Sequence, residues 1–298
     1  MLPPWPGSNS SNKRGEGEDS RTFRLRVAYD GTGYAGFQRQ PRQPTVQAAI
    51  EDALWRFTAE RITIRYAGRT DAGVHAEGQV IAFETSRELD ARAVLAGLNT
   101  YLPPSIVAWE ATAVALGYHP RRSALSRCYR YQVWQGAWPS PFLRRYSWHV
   151  RAPLDLAAME HAAAALLGEH DFAAFAQRSG AAVKSTVRRV DRVELRRAGP
   201  LLLVEVEANA FLPHMVRTIV GTLVWVGRGR LAVSALEQLL TSRDRRKAGP
   251  SAPGHGLFLA FVRLADDPPG RANEAEQVLA WLGGAQRSAW CSAERFAP

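Results

Sequence analysis

Cysteine is scarce in this chain of 298 residues. The two cysteines, Cys128 and Cys291, are too few and too far apart in sequence for a disulfide framework or a zinc site. A chain without disulfides or a zinc site is typical of a reducing compartment. We therefore expect a cytoplasmic protein that binds no structural metal.

Long apolar runs are missing as well. The first 21 residues are polar, are broken by Pro and Gly, and have no apolar stretch of the kind that a signal peptide needs. No later segment has the length and hydrophobicity of a bilayer-spanning helix. We expect a protein that is neither exported nor membrane-embedded, with residues 1–21 as a disordered basic and polar tail.

Acidic residues are the minority among the charges. The 28 Asp and Glu residues face 38 Lys and Arg residues, which gives a formal net charge of +10. This balance favours a polyanionic partner, with nucleic acid as the leading candidate. Each basic run taken alone is ordinary solvated surface, but together they suggest a track for an RNA backbone; the runs are Arg121-Arg122, Arg144-Arg145, Arg188-Arg189 and 243–247.

The order of the predicted elements indicates an α+β fold. A strand with period-two alternation begins near Thr22, and strands over 62–66 and 79–83 flank a turn-rich stretch. Helices are predicted after Thr45, which can cap the first of them, over 91–98, and over 215–227. Several strand pairs have short connections, which suit antiparallel layers better than a doubly wound parallel sheet. We predict an N-terminal half over 22–117, a C-terminal half over 118–264 and a loose extension over 265–298 with a short helix at 274–282.

A Gly-rich turn follows the first predicted strand. Residues 31–36 read GTGYAG, which matches the G-x-G-x-x-G fingerprint of dinucleotide-binding folds. In those folds a helix begins inside the fingerprint, whereas here the chain continues to Pro44 before a helix can start. We therefore set NAD or ATP binding aside as a weak alternative. A turn that offers backbone N–H groups and Arg39 to a phosphate stays open.

An acid, a base and several small residues share the segment AGRTDAGVH at 67–75. Small residues let a large ligand approach the backbone. Asp71 is a candidate reactive carboxylate, because the nearby positive charge of Arg69 favours its ionised form. The alternative from spacing alone is that Asp71 forms a turn and Arg69 is an ordinary surface partner.

This segment resembles the active-site motif of the TruA family of tRNA pseudouridine synthases. The resemblance continues, in the family's order, through YDGTGYAGFQRQP, RCYRY at 127–131, NAFLPHMVRTIVG and GLFLAFV, and it covers about 23–264. Two local departures concern substrate contacts: Phe37 stands where the family often has Trp, and 173–176 lack the Ser and Arg often found there.

The resemblance implies two ferredoxin-like (RRM-like) α+β halves that form one extended, mainly antiparallel sheet with a central catalytic cleft flanked by helices. It implies isomerisation of uridine to pseudouridine in the tRNA anticodon stem-loop, at positions 38, 39 and 40, by a homodimer without cofactor. Asp71 is the implied catalytic residue. Substrate-binding roles are implied for Arg69, which would pair with Asp71, and for Tyr129, Arg217 and Leu257.

Four further residues are candidates for contact with the RNA backbone, namely Arg39, His75, Arg121 and Arg127; His75 has a structural role as its alternative. Two rival functions stay open beside the nucleotide-dependent one. A synthase of the same fold can act on other RNA uridines, and a noncatalytic tRNA-binding protein would keep the basic surface without needing Asp71.

Overall fold

The computed structural model describes residues 20–177 and 185–267. Within these ranges the chain forms ten strands, six helices and three short 3-10 turns. The strands are β1 Arg21–Tyr29, β2 Arg65–Tyr66, β3 His75–Thr85, β4 Ile106–Val114, β5 Ala124–Trp134, β6 Trp148–His149, β7 Gly168–Asp171, β8 Val187–Ala198, β9 Leu201–Ala208 and β10 Leu257–Leu264. The helices are α1 Val46–Thr58, α2 Ala91–Tyr101, α3 Pro120–Ser123, α4 Leu156–Ala164, α5 Met215–Gly227 and α6 Ala235–Ser242.

All ten strands belong to one sheet, whose main path runs β4-β1-β3-β10-β5-β9-β8-β7. Neighbours pair antiparallel except β3 with β10 and β5 with β6. The prediction of a mixed α+β fold with a large, mainly antiparallel sheet is confirmed. β10 lies between β3 and β5 and pairs Phe258 with His75, so the middle of the sheet joins strands that are far apart in sequence.

One face of the sheet forms the hydrophobic core with the helices. In β1, Phe23, Leu25 and Val27 are buried on this face, as period-two alternation requires. α1 begins after Thr45, whose side chain accepts a hydrogen bond from the Ala48 N–H at 3.3 Å. It contributes Ile50, which is fully buried. Burial of each such side chain stabilises the fold by about 1.5–3 kcal/mol.

The opposite face of the sheet carries ion pairs. Arg24 and Arg26 of β1 are almost fully buried there and bind Asp266 at 2.6 Å and Asp267 at 2.5 Å. Residues 265–267 are therefore anchored to the sheet, although a loose extension was predicted from 265. Residues 268–298, with the helix predicted at 274–282, and residues 1–19 of the predicted tail lie outside the described residues.

Two strand boundaries differ from the sequence prediction. β3 begins at His75, so the end of the AGRTDAGVH motif lies in a strand and not in a turn. The strand predicted from Ile62 shrinks to Arg65–Tyr66, because the Ile64 N–H donates to the carboxylate of Glu51 at 3.2 Å and not to a neighbouring strand. In the described ranges no helix is long and apolar enough to cross a membrane.

Candidate active site

The Asp71 loop, residues 67–74, connects β2 to β3 and is fixed by hydrogen bonds at its start. The Ala67 N–H donates to Val80 O at 2.9 Å, and Ala67 O accepts from Arg127 Nη2 at 3.1 Å. The amide of Gln79 donates to Gly68 O at 2.7 Å. These bonds tie the loop to β3 and β5, so its backbone is set by the central sheet.

The Gly-rich turn at 31–36 supports the other side of this loop. Gly73 N–H donates to Tyr34 O at 3.3 Å, and Gly31 N–H donates to Nδ1 of His75 at 3.0 Å. A Cβ atom at Gly31 would stand 2.1 Å from Val74 O, so no larger residue fits this contact. The turn packs against the loop, and the Gly31 N–H is therefore not free to donate to a phosphate, as the phosphate alternative requires.

Asp71 receives its ionic partners from α5 and from the residue that precedes this helix. Nη1 of Arg217 lies 3.2 Å from Oδ2 of Asp71, and Nε2 of His214 lies 3.4 Å from the same oxygen. Arg217 is anchored from behind, because its Nε donates to Ala252 O at 2.7 Å. The Asp71 side chain is 36% exposed, so it can meet a substrate while its orientation is held by charge-assisted contacts.

His214 was missed by the sequence prediction of site residues. It precedes α5 with a left-handed backbone, φ 60° and ψ 4°, and its side chain makes no capping hydrogen bond. This conformation costs a residue with a Cβ atom about 1–2 kcal/mol. The sequence does contain a signal for His214, because His214 and Arg217 are three residues apart at a helix start and share one face of the helix.

The predicted pairing of Arg69 with Asp71 is wrong for this structure. The Arg69 side chain is exposed, and its Nε donates to the hydroxyl of Tyr66 at 3.3 Å. Among the described residues the ion-pair partners of Asp71 are Arg217 and His214. The guanidinium beside Asp71 comes from α5 instead.

Tyr129 and Leu257 lie on neighbouring strands beside the loop. The Tyr129 hydroxyl donates to Arg69 O at 3.5 Å, and its ring meets Phe211 edge-on at 5.0 Å between centroids. Burial raises the pKa of Tyr129, and the charges of Tyr29 and Asp71 raise it further. Leu257 is buried at the start of β10, opposite Tyr131 of β5.

The predicted contacts with an RNA backbone divide into surface and interior residues. His75 is 1% exposed; its Nε2 lies 3.0 Å from Arg145 O, and burial lowers its pKa. Arg127 is 9% exposed, and its guanidinium donates to backbone carbonyls, including Ala67 O. Burial thus places both in structural roles. Arg39 binds Glu51 at 2.5 Å, whereas Arg121 is exposed.

Comparisons with known proteins show which proteins this chain is similar to. A family model described as tRNA pseudouridine synthase matches residues 26–121 and 162–263. The chain is 47% identical over 244 residues to a tRNA pseudouridine synthase A of Geobacter sulfurreducens, which covers 82% of this chain and 100% of that protein. Enzymes of the same name from Moorella thermoacetica and Myxococcus xanthus are 47% and 43% identical, over 80% and 84% of this chain and 98% and 94% of their own.

Proposed function

The chain belongs to the tRNA pseudouridine synthase family, and from that premise we propose that it isomerises uridine to pseudouridine in the anticodon stem-loop of tRNA, at positions 38, 39 and 40. The observation that carries this proposal is the ion pair between Arg217 and Asp71. It presents a partly exposed, oriented carboxylate from a rigid loop, which is what a reaction at the ribose C1′ atom requires.

The reaction breaks the bond between ribose C1′ and uracil N1, rotates the base and joins C1′ to C5. The proton on C5 leaves, and N1 carries a proton in the product. Substrate and product are isomers, so the reaction consumes no oxidant, reductant or outside energy, and we propose that no cofactor is needed. Asp71 acts at C1′, as nucleophile or as stabiliser of the developing positive charge, and Arg217 fixes its orientation.

The target base has to leave its stack before it reaches Asp71. Arg69 lies exposed on the Asp71 loop, and among the described residues its side chain has one long hydrogen bond, at 3.3 Å, to Tyr66. We propose that it moves into the space that the base vacates. Tyr129 would stack on the extruded base, and Leu257 would form the apolar wall of the pocket.

We further propose that the two halves predicted from the sequence, 22–117 and 118–264, are ferredoxin-like (RRM-like) units that meet at the central cleft. Helices α1 and α2 accompany β1, β3 and β4, while α4 and α5 accompany β5, β9, β8 and β7. β3 and β10 join the two groups of strands. Asp71 then comes from one half and Arg217 from the other.

The tRNA backbone would approach along α3. One guanidinium nitrogen of Arg127, Nη2, donates to Arg121 O and to Ala67 O, both at 3.1 Å. The exposed side chains of Arg121 and Arg122 therefore begin next to the Asp71 loop. Their charge is positioned to hold phosphates near the reacting nucleotide.

We also propose a cytoplasmic homodimer whose interface includes the connection between β5 and β6. Trp138 and Phe142 are 77% and 84% exposed there. Two large exposed side chains on one connection are typical of a protein contact. The connection is fixed close to the site, because Arg145 O contacts His75 and the Tyr146 hydroxyl donates to Asp30 at 2.9 Å.

The test is an assay of the purified protein on unmodified tRNA transcripts, with pseudouridines mapped at nucleotide resolution. We expect product at positions 38, 39 and 40, and a loss of about 10³-fold or more in Asp71→Asn with tRNA binding retained. Asp52→Asn on α1 is the matched control and should stay active. Product at other uridines only would overturn the substrate assignment, and tRNA binding without turnover in the wild type would favour the noncatalytic alternative.

A further inference from the structure

His214 combines a strained backbone with a side chain directed at the active site. Its backbone is left-handed at the start of α5, and its side chain makes no capping hydrogen bond to the helix. The imidazole instead lies against Asp71 and Arg217. Backbone strain of this kind persists where surrounding contacts enforce it, and it is concentrated at functional sites.

Three atoms form a closed triangle at this point. Oδ2 of Asp71 lies 3.2 Å from Nη1 of Arg217 and 3.4 Å from Nε2 of His214, and the two nitrogens are 3.5 Å apart. Arg217 has only N–H donors, so the hydrogen bond between the nitrogens requires Nε2 to be the acceptor. His214 is then neutral, with its proton on Nδ1, which is buried without a hydrogen-bond partner among the described residues.

We propose that His214 is a positioning residue whose neutral imidazole accepts a hydrogen bond from Arg217 and so keeps the guanidinium aligned on Oδ2 of Asp71. This inference rests on the reaction proposed above. Arg217 is thereby held on two sides, by His214 and by Ala252 O. Without the imidazole acceptor the guanidinium can rotate away from the carboxylate.

Burial, together with two neighbouring arginines, favours the neutral form of His214. Asp71 on its loop, Arg217 on α5 and Arg245 in the 3-10 turn Arg245–Lys247 face His214. Burial lowers the pKa of His214, and the two arginines together with burial outweigh the attraction of Asp71. Protonation would convert Nε2 into a donor, which repels Arg217 and competes with it for Oδ2. Acid should therefore disturb the alignment.

Two substitutions separate positioning from a purely structural role. Asn tolerates the left-handed backbone better than His but is too short to reach Arg217, whereas the amide oxygen of Gln reaches the place of Nε2. We expect His214→Asn to keep the melting temperature and lose kcat about tenfold or more with KM within about threefold, because small misplacements are costly in catalysis. His214→Gln should retain kcat within about threefold.

The pH dependence of single-turnover rates gives a second readout. Wild type should lose rate as the pH falls below the ordinary histidine value of 6.5, and His214→Gln should lack that acid limb. Equal rates for the Asn and Gln variants, or an unchanged acid limb in His214→Gln, would overturn the inference.

An experiment without turnover keeps this inference separate from the proposed function. NMR titration of the full chain follows the His214 imidazole, assigned by its disappearance in His214→Gln. In Asp71→Asn the attraction of the carboxylate is gone, so the pKa of His214 should fall further. An unchanged titration would overturn the contact itself, whereas an inactive wild type with the expected titration would overturn only the proposed reaction.

Discussion

Arg217 Nη1 lies 3.2 Å from Oδ2 of Asp71 although 146 residues separate the two in sequence. The contact exists because β10 brings β3 and β5 together in the middle of the sheet. The Asp71 loop runs into β3, and the segment before β10 holds Arg217 through Ala252 O. The reactive carboxylate therefore depends on the assembly of the whole central sheet.

Replacement of Arg217 should affect turnover more than folding. Arg217→Ala removes the guanidinium from Asp71 and should lower kcat about 10²-fold, in the range found for loss of one electrostatic group in an active site. Arg217→Lys keeps the charge but cannot bind Ala252 O and Asp71 together, so an intermediate loss of about tenfold is expected. Single-turnover rates on tRNA measure both, and equal activity of Arg217→Ala and wild type would contradict this role.

Much of the local structure follows from the sequence pattern. The i, i+3, i+4 spacing of apolar residues predicts α5, and the structure confirms its bounds, Met215–Gly227. Thr45 caps α1 as predicted. These features depend on neighbours along the chain, which a sequence displays directly.

The missed features depend on contacts between distant segments. Nothing local indicates that β10 inserts between β3 and β5, or that the core closes over His75 and Arg127. Arg69 is close to Asp71 in sequence and the family resemblance implies a pair, but Arg69 contacts Tyr66 and the partner of Asp71 is Arg217 of α5. The left-handed backbone of His214 is likewise a product of packing.

The Gly-rich turn offers a test of loop support. At Gly31 an added Cβ would stand 2.1 Å from Val74 O, so Gly31→Ala must displace the Asp71 loop. We expect a loss of about 1–3 kcal/mol in the free energy of unfolding and a marked fall in turnover. Gly33→Ala is the matched control, because its φ is +82° but nothing lies within 4 Å.

Gly33→Ala should therefore cost only backbone strain, about 1–2 kcal/mol, and should keep turnover near wild type. Urea denaturation and single-turnover assays measure the two effects. Equal stability and equal turnover in the two variants would mean that the contact of Gly31 with Val74 does not support the Asp71 loop.

The ion pairs on the sheet face opposite the hydrophobic core predict that the free energy of unfolding depends on pH. Glu205 is 5% exposed and binds Arg130 at 2.7 Å. Burial alone would raise its pKa, but Arg130, Arg196 and Arg192 outweigh burial and lower the pKa below its ordinary value of 4.5. Glu205→Gln should lower the free energy of unfolding at pH 7 by about 2 kcal/mol.

The direction of the Glu205 pKa shift determines the pH range over which this stabilisation is lost. Because the folded-state pKa is lowered, the stabilisation by Glu205 is complete above 4.5 and is lost as the pH falls through the folded-state value. The difference between wild type and Glu205→Gln should shrink in that range. Glu194→Gln, at 40% exposure, is the control and should change stability by less than about 1 kcal/mol; a constant difference at all pH values would argue against the ionic origin.

The proposed subunit interface is tested by polar substitution of its exposed aromatics. The double variant Trp138→Ser and Phe142→Ser should shift the mass measured by light scattering from dimer to monomer, because it removes most of the apolar contact on the β5–β6 connection. Leu116→Ser, at 63% exposure, is the control and should leave the mass unchanged. A double variant that stays dimeric places the interface elsewhere.

The basic residues of α3 predict the salt dependence of tRNA binding. Arg121 and Arg122 are exposed beside the Asp71 loop, and each phosphate contact adds about 0.7–0.9 to the slope of log affinity against log salt. Replacing both with Ala should weaken binding and lower that slope by about one to two. Arg228 and Arg230 are also exposed, but they follow the opposite end of α5 from Arg217. The double Ala variant of Arg228 and Arg230 makes the same charge change and should leave the slope near that of the wild type. Equal slopes for the two double variants would mean that net charge, and not α3, guides the tRNA.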